Sequence, residues 1–341
     1  MWRRPHYSSV LIAGAVVSTI VCSVASGQEA GSASVDGARY SIDPGFFKMP
    51  DGRPFGSTAG IAIDPDGRSV WVFDRCGAGS CVGSDLAPIL HFDASGKVVR
   101  SFGARMFVRP HGIFVDRERN VWVADGEGGE GKGHQVFKFS AEGALLMTLG
   151  EAGVAGSGPS HFNQPSAVLV APNGDVFVGD GHGGESNARI VKFSKDGEYL
   201  TEWGGRGTAR GEFDTPHALA MDSGGRLFVG DRGNYRIQIF DQDGHFLDEW
   251  TQFGNPSGLY IDRRDVLYVS EIGPNPDRGA GWREGIRIGN AETGAVTAFI
   301  PDVERSSQEG VTADSAGNVY SAFTRGMELR RYVPIEVDTV R

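Results

Sequence analysis

The 341-residue sequence is poor in cysteine and shows little that is typical of helices. It has 3 cysteines against 51 glycines, and its apolar residues do not recur with a helical period over any useful length. The many glycines are suited to turns. This composition therefore argues against a helical fold and favours short strands joined by many turns.

The chain also lacks an excess of positive charge. Without Arg3 and Arg4, which lie in a predicted leader, the 33 basic residues fall to 31 against 43 acidic ones, a net charge of −12. Such a chain has no general attraction for nucleic acid or anionic membranes. We therefore expect a small-molecule or peptide partner, no nucleic acid, and a monomer.

A run long enough to span a membrane is absent as well. The apolar segment 10–25 follows two arginines and ends in Ala-Ser-Gly, the pattern of a cleaved signal peptide, and it is too short and serine-rich to be a convincing span. We predict a signal peptide over 1–27, a polar linker over 28–41, and one domain over 42–341. The mature protein is then exported, periplasmic or extracellular, without a membrane anchor.

Only Cys76 and Cys81 remain after this cleavage. In an exported protein, two cysteines five residues apart predict a disulfide across a short loop. Two free thiols in a surface turn remain the alternative. A metal site made by these two residues alone is not expected, because the loop contains no histidine.

One unit of sequence recurs along the chain and is clearest over Glu212 to Asp241. It contains a Pro-His entry, an alternating apolar strand, a Gly-rich turn and a second strand ending in Gly-Asp-Arg, and the alternation predicts half-buried strands. The residues that open the six copies are Ala59, His111, Ser166, His217, Ser257 and Glu309, at steps of 52, 55, 51, 40 and 52 residues. This period predicts an all-β, six-bladed β-propeller, with residues 40–47 helping to close the last blade.

The residue that opens each copy is predicted to face the central channel. His111, His217 and Glu309 stand on blades two, four and six, so they would converge about 120° apart. Two imidazoles and a carboxylate with an open fourth position form the ligand set of a catalytic zinc site. The alternative is that these side chains are polar plugs of the channel, hydrogen-bonded to backbone.

Acidic residues recur at the end of the second strand of five copies. Because they recur, we assign them a structural role, either fixing a turn or pairing with a blade arginine such as Arg189 or Arg236. They are Asp74, Asp125, Asp180, Asp231 and Glu271.

The residues just beyond these acids do not recur. Arg75 and Arg232 follow two of them, where a guanidinium at the channel mouth could bind a carboxylate through two hydrogen bonds. Ordinary surface arginines are the alternative. His182, two residues after Asp180, lies on the same rim and could exchange a proton near neutral pH.

These residues carry a resemblance to a known family. The segments RPHGIFVDRERNVWVADG, FNQPSAVLVAPNGDVFVGDG, GEFDTPHALAM and VGDRGNYRIQIF, within 109–240, resemble peptidyl-α-hydroxyglycine α-amidating lyase. That family is a six-bladed propeller of NHL type that splits peptidyl-α-hydroxyglycine into a peptide amide and glyoxylate. The resemblance is continuous over blades two to four and weaker in the other three.

Some site positions match the family's pattern. By this resemblance, His111 and His217 fall on two of the family's three zinc-binding histidines. Arg75 and Arg232 fall on its two active-site arginines. The resemblance thus implies a zinc ion, or another divalent metal, and a substrate with a carboxylate.

Other positions depart from the pattern. Glu309 stands where the third zinc histidine is expected, and His182 where the family has its catalytic tyrosine. Gly310 stands where the family has an acidic calcium ligand, which puts a structural calcium ion in doubt. The family's cysteine pairs in blades three and four are absent from this sequence.

We therefore predict an exported, metal-dependent lyase that cleaves a C–N bond of a peptidyl-α-hydroxyglycine-like substrate. Arg75, His182 and Arg232 are its predicted catalytic residues, and His111, His217 and Glu309 its metal ligands. A lactonase of the gluconolactonase type is the alternative enzyme. A non-catalytic NHL-repeat binding module is the alternative from another class, and it would bind no metal.

Overall fold

The computed structural model describes residues 39–273, 283–302, 304 and 306–335. The predicted signal peptide and residues 28–38 of the predicted linker lie outside these residues. Within them the chain forms 24 strands, and the helical content is one 3-10 turn at Arg232–Asn234. In the same residues no helix is both long enough and apolar enough to cross a membrane.

The strands form six antiparallel sheets of four, and each strand has an equivalent in every sheet. The innermost strands are β2 (Thr58–Ile63), β6 (Pro110–Val115), β10 (Pro165–Val170), β14 (Pro216–Met221), β18 (Pro256–Ile261) and β22 (Gln308–Ala313). The second strands are β3 (Val70–Asp74), β7 (Val121–Asp125), β11 (Val176–Asp180), β15 (Leu227–Asp231), β19 (Val266–Glu271) and β23 (Val319–Phe323). The third strands are β4 (Ile89–Phe92), β8 (Gln135–Phe139), β12 (Arg189–Phe193), β16 (Arg236–Phe240), β20 (Gly285–Asn290) and β24 (Leu329–Ile335). The outermost strands are β5 (Val98–Phe102), β9 (Leu145–Leu149), β13 (Tyr199–Gly204), β17 (Phe246–Trp250), β21 (Val296–Pro301) and, in the last blade, β1 (Arg39–Asp43).

The six innermost strands form a closed ring. Each contacts the innermost strand of the next blade, and β22 of blade six contacts β2 of blade one. The predicted six-bladed, all-β propeller is therefore confirmed.

The first and the last strand of the described residues close this ring. Strand β1 pairs with β24 from Arg39↔Ile335 to Asp43↔Arg331, so the N-terminal segment completes blade six as predicted. Phe46 and Phe47 then pack on Tyr320 of blade six and Phe92 of blade one. Because β1 begins at Arg39, the blade starts within the segment that was predicted to be a linker.

The prediction of half-buried strands is wrong for the second strand of five of the six blades. Strand β15 is buried along its whole length, as are β3, β7, β11 and β23. These strands lie in the middle of a sheet whose two faces pack on the neighbouring blades, so both sets of alternating side chains are covered. Exposure increases only towards the outermost strands, such as β9.

All six innermost strands are irregular at the same place. One extra residue is inserted directly after the first residue of the strand, which makes a β-bulge against the second strand. A bulge takes a residue out of the regular pairing and changes the direction of its side chain. The bulges contain Ala59, His111, Ser166, His217, Ser257 and Glu309, the residues predicted to face the channel.

The recurring acids at the ends of the second strands hold the segment that enters each bulge. Asp231 accepts hydrogen bonds from the backbone amide of Asp214 at 2.9 Å and from Nε of Arg236 at 2.9 Å. The other acids bind amides of Gly56, Val108, Arg109, Asn163 and Asn255 in the same way. These acids therefore have the predicted structural role of fixing a turn or pairing with a blade arginine. Asp125 differs, since Gln135 stands opposite it where Arg189 and Arg236 stand opposite Asp180 and Asp231.

The predicted disulfide between Cys76 and Cys81 is present. The two Cα atoms are 5.1 Å apart, and both residues are buried. Cys76 directly follows Arg75 and has a positive φ of 56°, so the bridge holds a sharp backbone turn next to this arginine.

Candidate active site

Three side chains from alternate blades meet at one end of the central channel. The channel is a cavity of about 1180 Å³ lined by the six innermost strands, and His111, His217 and Glu309 are among its lining residues. They are only 3%, 3% and 5% exposed. The convergence predicted from the repeat is therefore present, and each side chain comes from the bulge of its blade.

Hydrogen bonds fix the orientation of the two ring histidines. Nδ1 of His111 lies 2.7 Å from the carbonyl oxygen of Ser166, and Nδ1 of His217 lies 2.6 Å from that of Ser257. A carbonyl oxygen can only accept, so each Nδ1 carries the proton and donates it. In a neutral ring, Nε2 then has a bare lone pair, the arrangement that metal-binding histidines commonly show.

The Nε2 atoms of His111 and His217 lack hydrogen-bond partners among the described residues. Both are buried, and neither makes a hydrogen bond within the part of the chain that the structure describes. Nε2 of His217 lies 3.1 Å from Oε1 of Glu309, a distance that would suit a hydrogen bond. With the proton on Nδ1, however, the contact joins two acceptors. Two acceptors this close repel each other unless a cation lies between them, so the arrangement fits a divalent metal ion.

Glu309 also has partners besides His217. Oε1 accepts a hydrogen bond from Nη1 of Arg232 at 3.1 Å, and Oε2 accepts one from Oγ1 of Thr324 at 3.3 Å. Burial alone would raise the pKa of Glu309, but its charged neighbours, among them the guanidinium of Arg232, hold that pKa well below its usual value. The group is therefore a carboxylate at physiological pH, as a metal ligand must be.

His182 lies at the same centre. One ligand atom from each of His111, His182, His217 and Glu309 lies within 4.8 Å of the other three. The ring centroid of His182 is 4.8 Å from that of His111 and 5.0 Å from that of His217. Its Nε2 accepts a long contact of 3.4 Å from Nη2 of Arg232. The sequence predicted His182 on the rim, and the structure brings it into the cluster.

The three imidazoles are neutral at physiological pH. Burial lowers the pKa of His182 to about 2 and lowers those of His111 and His217 as well. A nearby arginine adds to this effect, Arg75 for His111 and Arg232 for His182 and His217, because it would repel a protonated ring. Neutral imidazole is the form that binds metal ions.

The two predicted carboxylate-binding arginines differ in how tightly they are held. Arg75 is buried, and it donates to the carbonyl of Pro110 at 3.0 Å and to Oγ of Ser57 at 2.9 Å. Burial lowers its pKa to about 10. Arg232 is held by side chains of the cluster, Glu309 and His182. A ligand carboxylate at Arg232 would therefore compete with Glu309, a contact that the sequence did not reveal.

Gly310 lies where blade six packs against blade one. A Cβ atom built there would lie 2.4 Å from the carbonyl oxygen of Ala59. No side chain fits without a backbone shift, so this position cannot supply an acidic calcium ligand.

The backbone groups around the two histidines were missed by sequence reasoning. Ser166 and Ser257 were identified only as small residues of the intervening blades, yet their carbonyls orient His111 and His217. Any residue supplies a carbonyl, so the only available signal was their equivalent place in the repeat.

Comparison with known proteins identifies similar chains. The NHL repeat family model matches residues 213–240, which lie in blade four and the segment entering it. NHL repeat-containing protein 3 from Homo sapiens is 36% identical over 199 residues, covering 57% of this chain and 54% of that protein. Peptidyl-alpha-hydroxyglycine alpha-amidating lyase 1 from Drosophila melanogaster is 40% identical over 139 residues, covering 38% of this chain and 24% of that protein. Peptidyl-glycine alpha-amidating monooxygenase B from Xenopus laevis is 37% identical over 201 residues, covering 52% and 22%.

The chain therefore spans about half the length of the first of these relatives and a quarter or less of the other two. The resemblance predicted from the sequence, to an NHL-repeat propeller with similarity to amidating lyases, is confirmed.

Solved structures agree on the fold. Virginiamycin B lyase from Staphylococcus aureus superimposes with a TM-score of 0.55 at 15% identity, covering 88% of this chain and 90% of that one. A gluconolactonase from Xanthomonas campestris gives a TM-score of 0.56 at 17% identity, covering 83% and 88%. Identities this low show a shared propeller fold and nothing about chemistry.

Proposed function

We propose that the protein is a metal-dependent carbon–nitrogen lyase. Its substrate would be a peptidyl-α-hydroxyglycine or a related N-acyl compound, and its products an amide and glyoxylate. The observation that carries this proposal is the pair of buried Nε2 atoms of His111 and His217 that make no hydrogen bond in the described residues, next to the carboxylate of Glu309 and with Arg232 beside it. The similarity to amidating lyases over part of the chain supports it.

The substrate carboxylate would be bound by Arg232 and Arg75. Burial lowers the pKa of both guanidinium groups, to about 10 for Arg75, and the nearby charge of Glu309 offsets part of that shift, so both stay cationic at physiological pH. A buried guanidinium binds a carboxylate more strongly than one in water, because little solvent competes. Arg75 is preorganised by Pro110 and Ser57, whereas Arg232 would exchange part of its contact with Glu309 for the substrate.

The reaction needs one proton removed and one supplied. The hydroxyl on the α-carbon loses its proton, its oxygen forms the aldehyde of glyoxylate, the C–N bond breaks, and the nitrogen takes up a proton to become the amide. A divalent ion bound by His111, His217 and Glu309 would polarise that hydroxyl as a Lewis acid. The arginines would stabilise the negative charge as the bond breaks. The proton-transfer role predicted for His182 requires a ring nitrogen that is free of the metal.

Export remains part of this proposal. The buried disulfide between Cys76 and Cys81 supports it, because disulfides persist in oxidising compartments. The net negative charge supports a small-molecule or peptide substrate, and we propose that the protein is a monomer without a nucleic-acid partner.

Two other functions are each favoured by an observation. Glu309 brings a carboxylate to the centre, and carboxylate metal ligands are what the lactonase interpretation expects. The similarity to NHL repeat-containing protein 3 over 57% of the chain favours a binding module. The hydrogen bonds from His111 and His217 to backbone carbonyls also suit polar plugs of a channel.

The test combines metal analysis with a product assay on the purified mature protein. We expect one divalent metal per chain, and release of glyoxylate and amide from an N-acyl-α-hydroxyglycine such as α-hydroxyhippurate. Ring opening of a sugar lactone without any glyoxylate from the first substrate would favour the lactonase. A protein that binds no metal and converts neither substrate would be a binding module, and the lyase proposal would be wrong.

A further inference from the structure

We infer that His182 is a fourth ligand of the metal, so that the centre has three imidazoles and one carboxylate. This inference rests on the metal site of the proposed function, and it replaces the proton-transfer role that the sequence predicted for His182. It places a ligand from a loop of blade three opposite the three ligands that come from bulges of the even-numbered blades.

The spacing of the four groups fits one ion. Metal–nitrogen and metal–oxygen bonds of about 2.0–2.2 Å place two ligand atoms at most about 4.4 Å apart. The four potential ligand atoms here all lie within 4.8 Å of one another, a span close to that limit, so a contraction of the cluster lets all four reach one ion. The three ring centroids form a nearly equilateral triangle with sides of 4.7, 4.8 and 5.0 Å.

The loop that carries His182 is built to hold it there. The backbone amide of His182 donates to Oγ of Ser186 at 2.8 Å, and that hydroxyl donates to the carbonyl of Gly183 at 2.7 Å. Gly181 has a φ of 148°, and a Cβ atom there would lie 1.9 Å from the carbonyl oxygen of Asn187. Only glycine allows this close approach, which positions the histidine over the channel end.

The free lone pair of His182 is on the nitrogen that faces the cluster. A guanidinium group has no acceptor, so Nε2 of His182 must be the acceptor in its contact with Arg232. At 3.4 Å this contact is long for a hydrogen bond and is easily given up. His182 therefore offers the same kind of nitrogen as His111 and His217, an Nε2 whose lone pair is free to bind a metal ion.

A fourth protein ligand narrows the choice of metal. Four ligands fill a tetrahedral zinc site and leave no position for a substrate. A centre that also binds substrate then needs five or six coordination, which nitrogen and oxygen ligands provide for Mn²⁺, Fe²⁺, Co²⁺, Ni²⁺ or an expanded Zn²⁺ site. Glu309 supplies the one negative charge of the set, and no sulfur ligand is present among the four.

The test is to count imidazole ligands in cobalt-loaded protein by X-ray absorption spectroscopy and to measure Co²⁺ affinity by competition with a chromophoric chelator. The variants are His182→Ala and His182→Phe, the second of which keeps a ring in the cluster without a donor nitrogen. His161→Ala is the control, since His161 lies outside the cluster and pairs with Glu151. Melting temperatures confirm that the variants are folded.

We expect three imidazoles in the wild type and in the control, and two in both His182 variants. Changes to residues that merely support a ligand lower metal affinity by about 10–100-fold, so loss of a ligand should lower it by at least about 10-fold. The d–d absorption of bound Co²⁺ should be weak, as five- and six-coordinate sites give, rather than strong as in tetrahedral ones.

Two imidazoles in the wild type, with affinity unchanged in both His182 variants, would overturn the inference and leave the lyase proposal standing. If those variants kept the metal but lost turnover, with a changed pH profile, His182 would be the proton-transfer group. A wild-type protein that binds no Co²⁺, Zn²⁺ or Mn²⁺ would overturn both proposals.

Discussion

Blades two, four and six differ from blades one, three and five in the residue placed in a bulge that all six share. The even-numbered blades place His111, His217 and Glu309 there, and the odd-numbered blades place three small residues, Ala59, Ser166 and Ser257. The backbone is equivalent in both sets. A change of one side chain in every second blade therefore supplies the potential metal ligands, while the fold stays the same.

The odd-numbered blades nevertheless take part in the site. The carbonyls of Ser166 and Ser257 receive the Nδ1 protons of His111 and His217. For these two histidines, one blade thus supplies the ligand and the next blade supplies the carbonyl that orients it. The comparison teaches that a small residue in a repeat can be functional through its backbone, and the predictions below test how far that division holds.

The largest effect is expected for His217→Ala, matched with Ser257→Ala in the next blade. The first change removes an Nε2 ligand, and we expect the dialysed protein to lose its metal completely. The second removes a buried hydroxyl whose oxygen has no partner in the described part of the chain, but it keeps the carbonyl that orients His217. Elemental analysis should find metal in Ser257→Ala at the wild-type level. Equal metal content in the two variants would contradict the division between blades.

Substitutions of Glu309 test whether the metal site needs a carboxylate ligand in addition to its imidazoles. We expect Glu309→Ala to lose metal, because alanine offers no ligand atom in place of the carboxylate. Glu309→His should retain it, since imidazole and carboxylate bind zinc at similar lengths of about 2.0–2.2 Å. Without the carboxylate charge the metal is a stronger Lewis acid and ionises a bound hydroxyl at lower pH, so the pH optimum should move down. A pH–rate profile that stayed in place, or moved up, would be evidence against this role.

Blades two and four hold the segments that enter their bulges in different ways, which sharpens the comparison within the even-numbered set. Asp231 pairs with Arg236, whereas Asp125 binds backbone amides and stands opposite Gln135. Asp231→Asn should lower the free energy of unfolding by about 3 kcal/mol, the low end for breaking a buried pair. The low end is expected because Arg236 keeps Glu249 and several carbonyls. Asp125→Asn should lower the free energy of unfolding by less than this, because no ion pair is broken. Urea unfolding at pH 7 measures the two variants side by side.

Asp125 also predicts how the free energy of unfolding depends on pH. Burial raises the pKa of Asp125 to about 7, above the value of about 3.9 in an unfolded chain. Between these values the folded state holds a proton that the unfolded state has lost, so stability falls as pH rises from about 4 to 7. Asp125→Asn should remove this part of the slope. An unchanged slope in unfolding measured between pH 4 and 7 would contradict the assignment.

The smallest effect is expected at the arginines. Arg232→Ala should weaken a carboxylate substrate by roughly 1.5–3 kcal/mol, or about 10- to 100-fold in KM, which is the contribution of a charged hydrogen bond. Arg232 is the better choice than Arg75, because Arg75 also ties Ser57 to Pro110 and its loss would disturb folding. The control is the amide analogue of the substrate, which should be bound equally by both proteins. An equal loss of affinity for the acid and for the amide would show that Arg232 does not bind the carboxylate.

Much of the fold followed from the repeat. A spacing near fifty residues and two apolar strands per copy predicted six blades, and equivalence of the copies placed His111, His217 and Glu309 on one axis. These inferences succeeded because they depend on periodicity, which is a property of the chain itself. The disulfide could be predicted from the five-residue spacing of its cysteines, which is also a property of the chain itself.

The detail of the site depends on contacts between residues far apart in the chain. A bulge turns His217 inwards, the carbonyl of Ser257 fixes its tautomer, and Glu309 and Arg232 meet across 77 positions of sequence. Backbone groups carry no residue-specific signal, and a side chain's partner depends on which loops the closed ring brings together. For that reason His182 appeared in the sequence as a rim residue with a proton to exchange. Only the tertiary structure shows its ring beside those of His111 and His217, with a lone pair that a metal ion can use.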